Sequence, residues 1–405
     1  LKILITTDAF PPGGGGSAQS TAALARVLAG NNHQVSVVVG RRNVLGELRK
    51  DWEGVAVIEV GLGKSSPGRT GRELRLASFL EKWSPSERFD LVHAQHWLSA
   101  KATVQASRKV GFPVVVTVRD YWPVCIWSTK LSGHHPCPGC STLRRVLCVG
   151  RRYPWAWPAA PILPFAVGRE LGRRMATLRN ASAAIAVSRH VQRSLPVDHS
   201  VVIPNLLDLA DLESRLAGPV SANLPERFAF FAGKLELNKA PDRLLPILRA
   251  SGIRLPLVIA GTGTLESSIR DEASRLGMEV HWLGWRDPDE VLRLMRRSVA
   301  VVFPSRWEEP LSRVLLEGLG VGAVMVVEPT GGTDEMVVDG ESGLVGRNVT
   351  ELAEALARVS TDEGLASRLR EGAIQRAREH FSTEAVLPQV EKLYRRVMEG
   401  GPVEG

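Results

Sequence analysis

The chain has 405 residues, of which 44% are hydrophobic and 23% charged, with a formal net charge of +8. That length leaves room for a core in each of two domains, and the balance is that of a globular protein, which excludes disordered and fibrous classes. No apolar run approaches the roughly 18 residues that a membrane span needs.

The chain opens on a short apolar run, LKILITT, that turns at once into DAFPPGGGG. This reads as a first strand and its loop, not as a signal peptide. Because the sequence starts at a leucine, the initiator is expected to lie outside it. The stretch PPGGGGSAQS stands between that strand and the helical pattern QSTAALARVLAGNN, where a glycine-rich phosphate loop would stand. Gly15 and Gly16 are the candidates for close approach to a ligand. The loop does not meet a strict G-x-G-x-x-G spacing, and a flexible surface turn has the same composition. QVSVVVG, VAVIEVG, FDLVHA, VVVTVRD and AIAVS follow as strand candidates separated by helical periodicity. His93 and His96 close the FDLVHA strand and suit either a ligand-facing role or a structural one. Arg119 ends VVVTVRD.

All four cysteines, Cys125, Cys137, Cys140 and Cys148, fall in one stretch. The central C-x-x-C has the spacing of a metal knuckle, and the outer pair could complete a structural zinc site with four thiolates. Free thiols are the alternative; disulfides are not expected of a cytoplasmic protein. Between 141 and 195 the sequence carries ten arginines and one acid, Glu170. That patch suits an anionic lipid surface or a phosphorylated ligand, and equally a solvated basic face. Within it, RRYPWAWPAAPILPFAVGRELGRRM mixes Trp, Tyr, Pro and Arg, and Leu171, Met175 and Leu178 share a helical face. The segment could rest on a membrane surface or pack on the core.

A second series begins after VVIPNLLDLADL and the polar stretch AGPVSANLPER, which suits a linker. FAFFAGK, LPLVIAG, EVHWLG, VAVVFPS, AVMVVEP and GLVG are its strands. Continuous Val/Ile-rich strands between helices argue parallel sheets covered on both faces. The expected fold class is therefore α/β, with two Rossmann-like, doubly wound parallel-sheet domains facing across a cleft, where ligands of such sheets bind. The expected bounds are 1–207 for the first domain, with a Cys-containing insertion at about 120–150, and 208–384 for the second. The amphipathic helix in STEAVLPQVEKLYRRVM belongs to a last segment, 385–405, expected to cross back to the first domain.

The stretch PSRWEEPLSRVLLEG carries three carboxylates, Glu308, Glu309 and Glu317. Pro310 suits the first helical position, which would make Glu309 the N-cap. The N–H groups of Leu311, Ser312 and Arg313 would then form an anion site, with Glu317 about 12 Å along the axis. An extended ligand could offer a phosphate to the helix start and hydroxyls to the acids on either side; a capping acid and a solvated helix acid have the same pattern. Asp287 and Asp289 form a D-x-D, but Asp287, Pro288 and Glu290 read as N-cap, first helical position and capping-box acid, not as a metal site.

The run SRWEEPLSRVLLEGLGVGAVMVVEPTGGTDEMVVDGESGLV resembles the signature of retaining glycosyltransferases of family four, which have the GT-B fold. The resemblance implies that Glu309 approaches the donor sugar and Glu317 the ribose, leaving Glu308 outside. FFAGKLELNKAPDRLL, with Gly233, Lys234 and Lys239, is similar to the family's basic pair for the donor diphosphate, where cations offset charge on the leaving group. IAGTGTLESSI, with Gly261, and HWLGWRDPDEV, with Trp285 and Arg286 beside the base, also match family positions. The glycine-rich loop would lie near the donor phosphates. The resemblance spans nearly the whole chain and is strongest in 228–345. Two departures stand out: Ser312 where the family has Gly, and Arg119 where it often has histidine. A guanidinium does not act as a base at neutral pH but can bind hydroxyls or phosphate.

Together these features imply a retaining, metal-independent hexosyltransferase that uses a UDP- or GDP-sugar. A glycan or lipid-linked acceptor, a role in polysaccharide biosynthesis, and a cytoplasmic place, peripheral at the inner face of a membrane, are expected, with no nucleic-acid partner. The alternatives are a nucleotide-sugar-binding protein of weak catalysis and a nucleotide-sugar epimerase.

Overall fold

The computed structural model describes the chain apart from residues 42–43, 45, 63–67, 133–134, 160–161, 221–222 and 402–405. Parts of the expected linker, of the Cys-containing insertion and of the Trp/Arg segment thus lie outside the described residues. The chain forms two compact units: Leu1–Lys130, Cys137–Leu206 and Val386–Gly405 in one, Leu131–Pro136 and Leu207–Ala385 in the other.

Among the described residues, ten strands precede residue 207: β1 (Lys2–Thr7), β2 (Gln34–Arg41), β3 (Glu47–Trp52), β4 (Val55–Gly61), β5 (Leu91–Ala94), β6 (Val114–Val118), β7 (Leu131–Ser132), β8 (His135–Pro136), β9 (Ala183–Ala186) and β10 (Ser200–Val202). Eight form a sheet in the order β10-β9-β6-β5-β1-β2-β4-β3, and β7 and β8 make a separate two-stranded piece. All neighbours in the large sheet run parallel except β3, which is antiparallel to β4. Every residue of β5, β6 and β9 is buried. Their apolar runs are continuous because helices cover both faces. Edge strand β3, ELRKDW, is exposed over all but its last residue, and its charges discourage pairing with another chain.

The second unit holds β11 (Ala229–Ala232), β12 (Leu257–Ala260), β13 (Val280–Gly284), β14 (Ala300–Phe303), β15 (Met325–Val327) and β16 (Leu344–Val345). They form an all-parallel sheet ordered β13-β12-β11-β14-β15-β16. A core of Phe231, Leu245, Leu257, Ile259, Val302 and Leu356, among others, fills one side of this sheet. The order reverses between β12 and β14, on either side of β11. In open α/β sheets that switch point, beyond the carboxyl ends of the strands, is where ligands bind. The loops after β11 and β14 meet there.

His93, on β5, is 1% exposed. Its Nδ1 lies 2.6 Å from the hydroxyl of Tyr394 on the helix Thr383–Met398, and its Nε2 lies 2.7 Å from Thr117 Oγ1. Of its two expected roles, it fills the structural one, joining the last helix to the sheet. Burial first, and then the charge of Arg119, push its pKa down to about 3. The native unit thus holds it neutral, whereas the unfolded chain protonates it near pH 6.5, so stability declines as pH falls from 6.5 toward 3. Replacing His93 with Gln should flatten that decline, by on the order of 3 kcal/mol between pH 7 and 4. Urea unfolding at the two pH values measures this, and an unchanged slope in the variant would contradict it.

Candidate functional site

After β14 the chain stays out of helix from Pro304 to Ser312, bending at Trp307, Pro310 and Leu311, and the helix Arg313–Gly320 starts later than expected. Ser312 is its N-cap, with no side-chain capping bond, so Pro310 is not the first helical residue and Glu309 is not the cap. The reason is tertiary. Glu309 is 1% exposed, and its Oε1 accepts hydrogen bonds from Lys239 Nζ at 2.6 Å and Ser305 Oγ at 2.7 Å. Its carbonyl accepts the Gly332 N–H at 2.6 Å. Burying a carboxylate is costly without such partners, and they hold this segment out of the helix. Glu309 Oε2 makes no hydrogen bond among the described residues.

Lys239 closes a short 3-10 turn, Leu237–Lys239, and its Nζ lies 5.3 Å from the Phe303 ring centroid and 5.0 Å from that of Trp307. The next residues brace the same loops. Asp242 takes both terminal nitrogens of Arg306 at 2.7 Å, and Arg243 pairs with Glu328, just past β15. Burial would raise the Asp242 carboxyl, but the bonds and charge of Arg306 outweigh it and hold it below its ordinary value. For Glu328 burial prevails over Arg243, and its pKa is raised. The loop PTGGT presses on Glu309 from the other side. A Cβ on Gly331, whose φ is +64°, would fall 2.4 Å from the Glu309 nitrogen, so only glycine fits.

The expected anion site shifts with the helix. Its first intrahelical bond runs from Leu316 N–H to the Ser312 carbonyl at 3.0 Å. The N–H groups ahead of that bond are those of Arg313, Val314 and Leu315, not of Leu311 and Ser312, both of which are buried. Glu317 lies one turn into the helix and takes Arg313 Nε on Oε1 at 2.8 Å. Glu308 is half-buried.

At the neighbouring strand ends, a Cβ on Gly261 would stand 1.8 Å from the Gly233 carbonyl oxygen, so the loops after β11 and β12 approach backbone to backbone. Lys234 follows Gly233, is exposed, and makes no ion pair among the described residues. Past β13, Trp285 is 73% exposed and Arg286 sits 3.7 Å from Glu290. The D-x-D is spent on structure: Asp287 caps the helix Pro288–Arg297 through the Asp289 N–H, and Asp289 pairs with Arg215 at 2.6 Å. Among the described residues no group of three or more His, Cys, Asp or Glu is placed to hold a metal ion.

In the other unit, Gly15 caps the helix Gly16–Gly30, and a Cβ on Gly15 would meet nothing within 4 Å, so the fold itself does not demand glycine there. Arg119 donates to Asn205 Oδ1 at 3.0 Å and to the Gln95 carbonyl at 3.2 Å. His96 caps the helix Trp97–Val110, and burial first, then Arg119, bring its pKa down to about 3. Two acids that the sequence reading passed over lie at strand ends here. Asp8, after β1, accepts the N–H groups of Leu98 and Ser99 at 3.3 and 2.8 Å, and burial raises its pKa. Asp120, after β6, accepts the Trp122 N–H at 2.7 Å, and burial pushes its pKa up to about 6. Asp8, Arg72 and Trp97 line a cavity of about 320 Å³. Acids within two residues of a fully buried strand end, TTD and VRD, are the signal that could have found them.

Among the described residues the four cysteines, expected as a structural zinc site, do not come together as a group that could hold a metal ion. All are free; Cys125 Sγ accepts the Lys130 N–H at 3.4 Å, Cys137 Sγ donates to the Gly139 carbonyl at 3.5 Å, and Cys148 Sγ accepts Trp127 Nε1–H at 3.0 Å. Burial first, and then the neighbouring cysteines, raise the thiols of Cys140 and Cys148.

Two family models match the chain. That of Glycosyl transferases group 1 covers residues 218–378 and that of Glycosyltransferase Family 4 covers residues 14–211. A glycogen synthase of Mycobacterium tuberculosis is 27% identical over 336 residues, which is 80% of this chain and 72% of that protein. Among solved structures, sucrose-phosphate synthase from Thermosynechococcus elongatus superposes with a TM-score of 0.73 at 18% identity, covering 99% of this chain and 100% of the other. Anabaena HepE in complex with UDP-glucose superposes with a TM-score of 0.66 at 17% identity, covering 97% and 99%. The strand orders, the buried acid at the switch point and these matches together assign the chain to the family-four, group 1 glycosyltransferases, with the GT-B fold.

Proposed function

We propose that this glycosyltransferase moves a hexose-type sugar from a nucleoside diphosphate sugar to a hydroxyl of a glycan or lipid-linked acceptor, with retention of configuration. The observation that carries the reading is the buried Glu309–Lys239 pair beside a helix start at the switch point of the second unit. Glu309 keeps Oε2 for a sugar hydroxyl, while Lys239 and Ser305 fix the other oxygen. Lys234, Lys239 and the first N–H groups of the helix Arg313–Gly320 stabilise the diphosphate as it leaves. Glu317, steadied by Arg313, accepts the ribose hydroxyls, and Trp285 offers an exposed ring to the base.

In the reaction the bond from the anomeric carbon to the diphosphate oxygen breaks, and the acceptor oxygen bonds to that carbon on the same face. The acceptor proton passes to the departing phosphate oxygen, so no side-chain base is required. Arg119 contributes a fixed positive charge on the first unit, held by Asn205 and Gln95. A UDP-sugar is the first donor to try, because HepE was solved with UDP-glucose. A thermal-shift screen of UDP- and GDP-sugars, followed by product analysis with lipid-linked and soluble acceptors, tests the reading. Release of a free epimerised sugar nucleotide, or donor binding with no transfer to any acceptor, would overturn it.

The acids should respond unequally. Glu309→Gln and Glu317→Ala are expected to lower kcat/KM for transfer by about 100-fold or more, whereas Glu308→Ala should stay within about threefold. Equal losses at all three would contradict the assignment. Arg119→His should lower transfer about tenfold with donor affinity unchanged; unaltered kinetics would remove Arg119 from the site.

A further inference from the structure

Four of the five large apolar side chains that are more than two-thirds exposed among the described residues fall in one stretch: Leu143 at 69%, Trp155 at 79%, Ile162 at 69% and Phe165 at 77%. They lie on the helix Thr142–Arg152, the 3-10 turn Pro154–Ala159, and the start of the helix Leu163–Arg179. The stretch does not need them for its own packing. Val149, Val167 and Leu171 form a small core there with Ile126 and Trp127. The helix Leu163–Arg179 is divided accordingly: Val167, Leu171, Arg174 and Leu178 are buried on one face. Ile162, Phe165, Arg169 and Arg173 follow the i, i+3, i+7, i+11 spacing of the opposite, exposed face.

The charge around these side chains has one sign. From 141 to 179 the sequence has eight arginines and a single acid, Glu170. That acid is already taken by the buried Arg174 at 3.0 Å. Arg144, Arg169 and Arg173 are exposed and make no ion pair among the described residues. Exposed Trp, Phe, Leu and Ile tips ringed by unneutralised arginines are complementary to an anionic bilayer surface, where apolar tips enter the acyl boundary and guanidinium groups stay with the headgroups. A protein partner of ordinary composition would leave most of those guanidinium groups unpaired.

We propose that Leu143, Trp155, Ile162 and Phe165, together with Arg144, Arg169 and Arg173, form the surface by which this protein docks on an anionic membrane. The docking is independent of the transferase reading, since it involves none of the residues assigned to the donor.

The test is sedimentation of the full chain with vesicles of equal parts phosphatidylcholine and phosphatidylglycerol, against vesicles of phosphatidylcholine alone. Binding to the mixed vesicles, weakened by salt and at least about tenfold weaker to the neutral ones, is expected. The pair Trp155→Ser with Phe165→Ser, and the triple Arg144→Glu, Arg169→Glu, Arg173→Glu, should each lower partitioning at least about tenfold. The thermal shift produced by UDP should be unchanged in both, which shows that the variants fold and that the donor site is untouched. Absence of binding, or binding equal in wild type and variants, would overturn the proposal. So would concentration-dependent dimerisation that the Trp155/Phe165 pair abolishes without any effect on vesicle binding, because a second copy would then be the occupant.

Discussion

The second unit is organised by the need to pair one buried carboxylate, Glu309. Glu309 is removed from water, and a carboxylate there is tolerable only if a cation and hydrogen-bond donors reach it. Lys239 can do so only from a tight turn, and the next residue, Ala240, is held in the left-handed region at φ +51° although it is not glycine. Such a conformation persists where its surroundings over-determine it. Here the Arg306–Asp242 and Arg243–Glu328 pairs lock the turn to the loops after β14 and β15. Gly331 and Gly332 then close over the Glu309 backbone. Three loops from three strands are fixed around one acid.

That fixing changes how the two acids of the motif are related. A helix beginning at Pro310 would set Glu309 and Glu317 two turns apart on one rod. Instead Glu309 belongs to the irregular segment before the helix and Glu317 to the second turn of the helix, about 6 Å beyond its start. The free N–H groups lie between them. Each acid has one oxygen held by its own cation, Lys239 or Arg313. Both therefore stay oriented without a ligand, which reduces what must be ordered when one binds.

Much of this was legible in the sequence where the determinant is local. All twelve apolar runs read as strands are strands, since Val/Ile-rich segments between helices have one stable use in an α/β fold. The cap at Asp287 was legible because a capping residue acts on its own next turn. Strand β3 was not, because ELRKDW is an edge with no buried face to produce alternation. The helix start at Arg313 was misjudged because Pro310 satisfies the local rule, whereas the partners of Glu309 come from about seventy residues upstream, at Lys239, and from Gly332 beyond it. Asp8 and Asp120 were missed for a related reason. Their raised pKa values come from burial, which only the assembled sheet supplies. The C-x-x-C pair carries a spacing, and Cys140 and Cys148 lie within electrostatic reach of other cysteines, but among the described residues the four do not make a group that could hold a metal ion.

The distribution of charge separates two kinds of basic residue. Around the switch point of the second unit, Lys239, Arg243, Arg306 and Arg313 are each matched to a carboxylate: Glu309, Glu328, Asp242 and Glu317. Their geometry is defined, but most of their field is cancelled locally, so this region selects by shape and hydrogen bonding rather than by attracting any polyanion. The arginines of 141–179 have almost no acids among them. They account for most of the excess that gives the chain its net charge of +8. Arg144, Arg169 and Arg173 among them are exposed and make no ion pair among the described residues; such charge is what salt screens most effectively, whereas half-buried pairs are screened much less. Ionic strength therefore acts on the two regions unequally: it weakens whatever the arginine-rich segment attracts while leaving the arrangement around Glu309 nearly as it was.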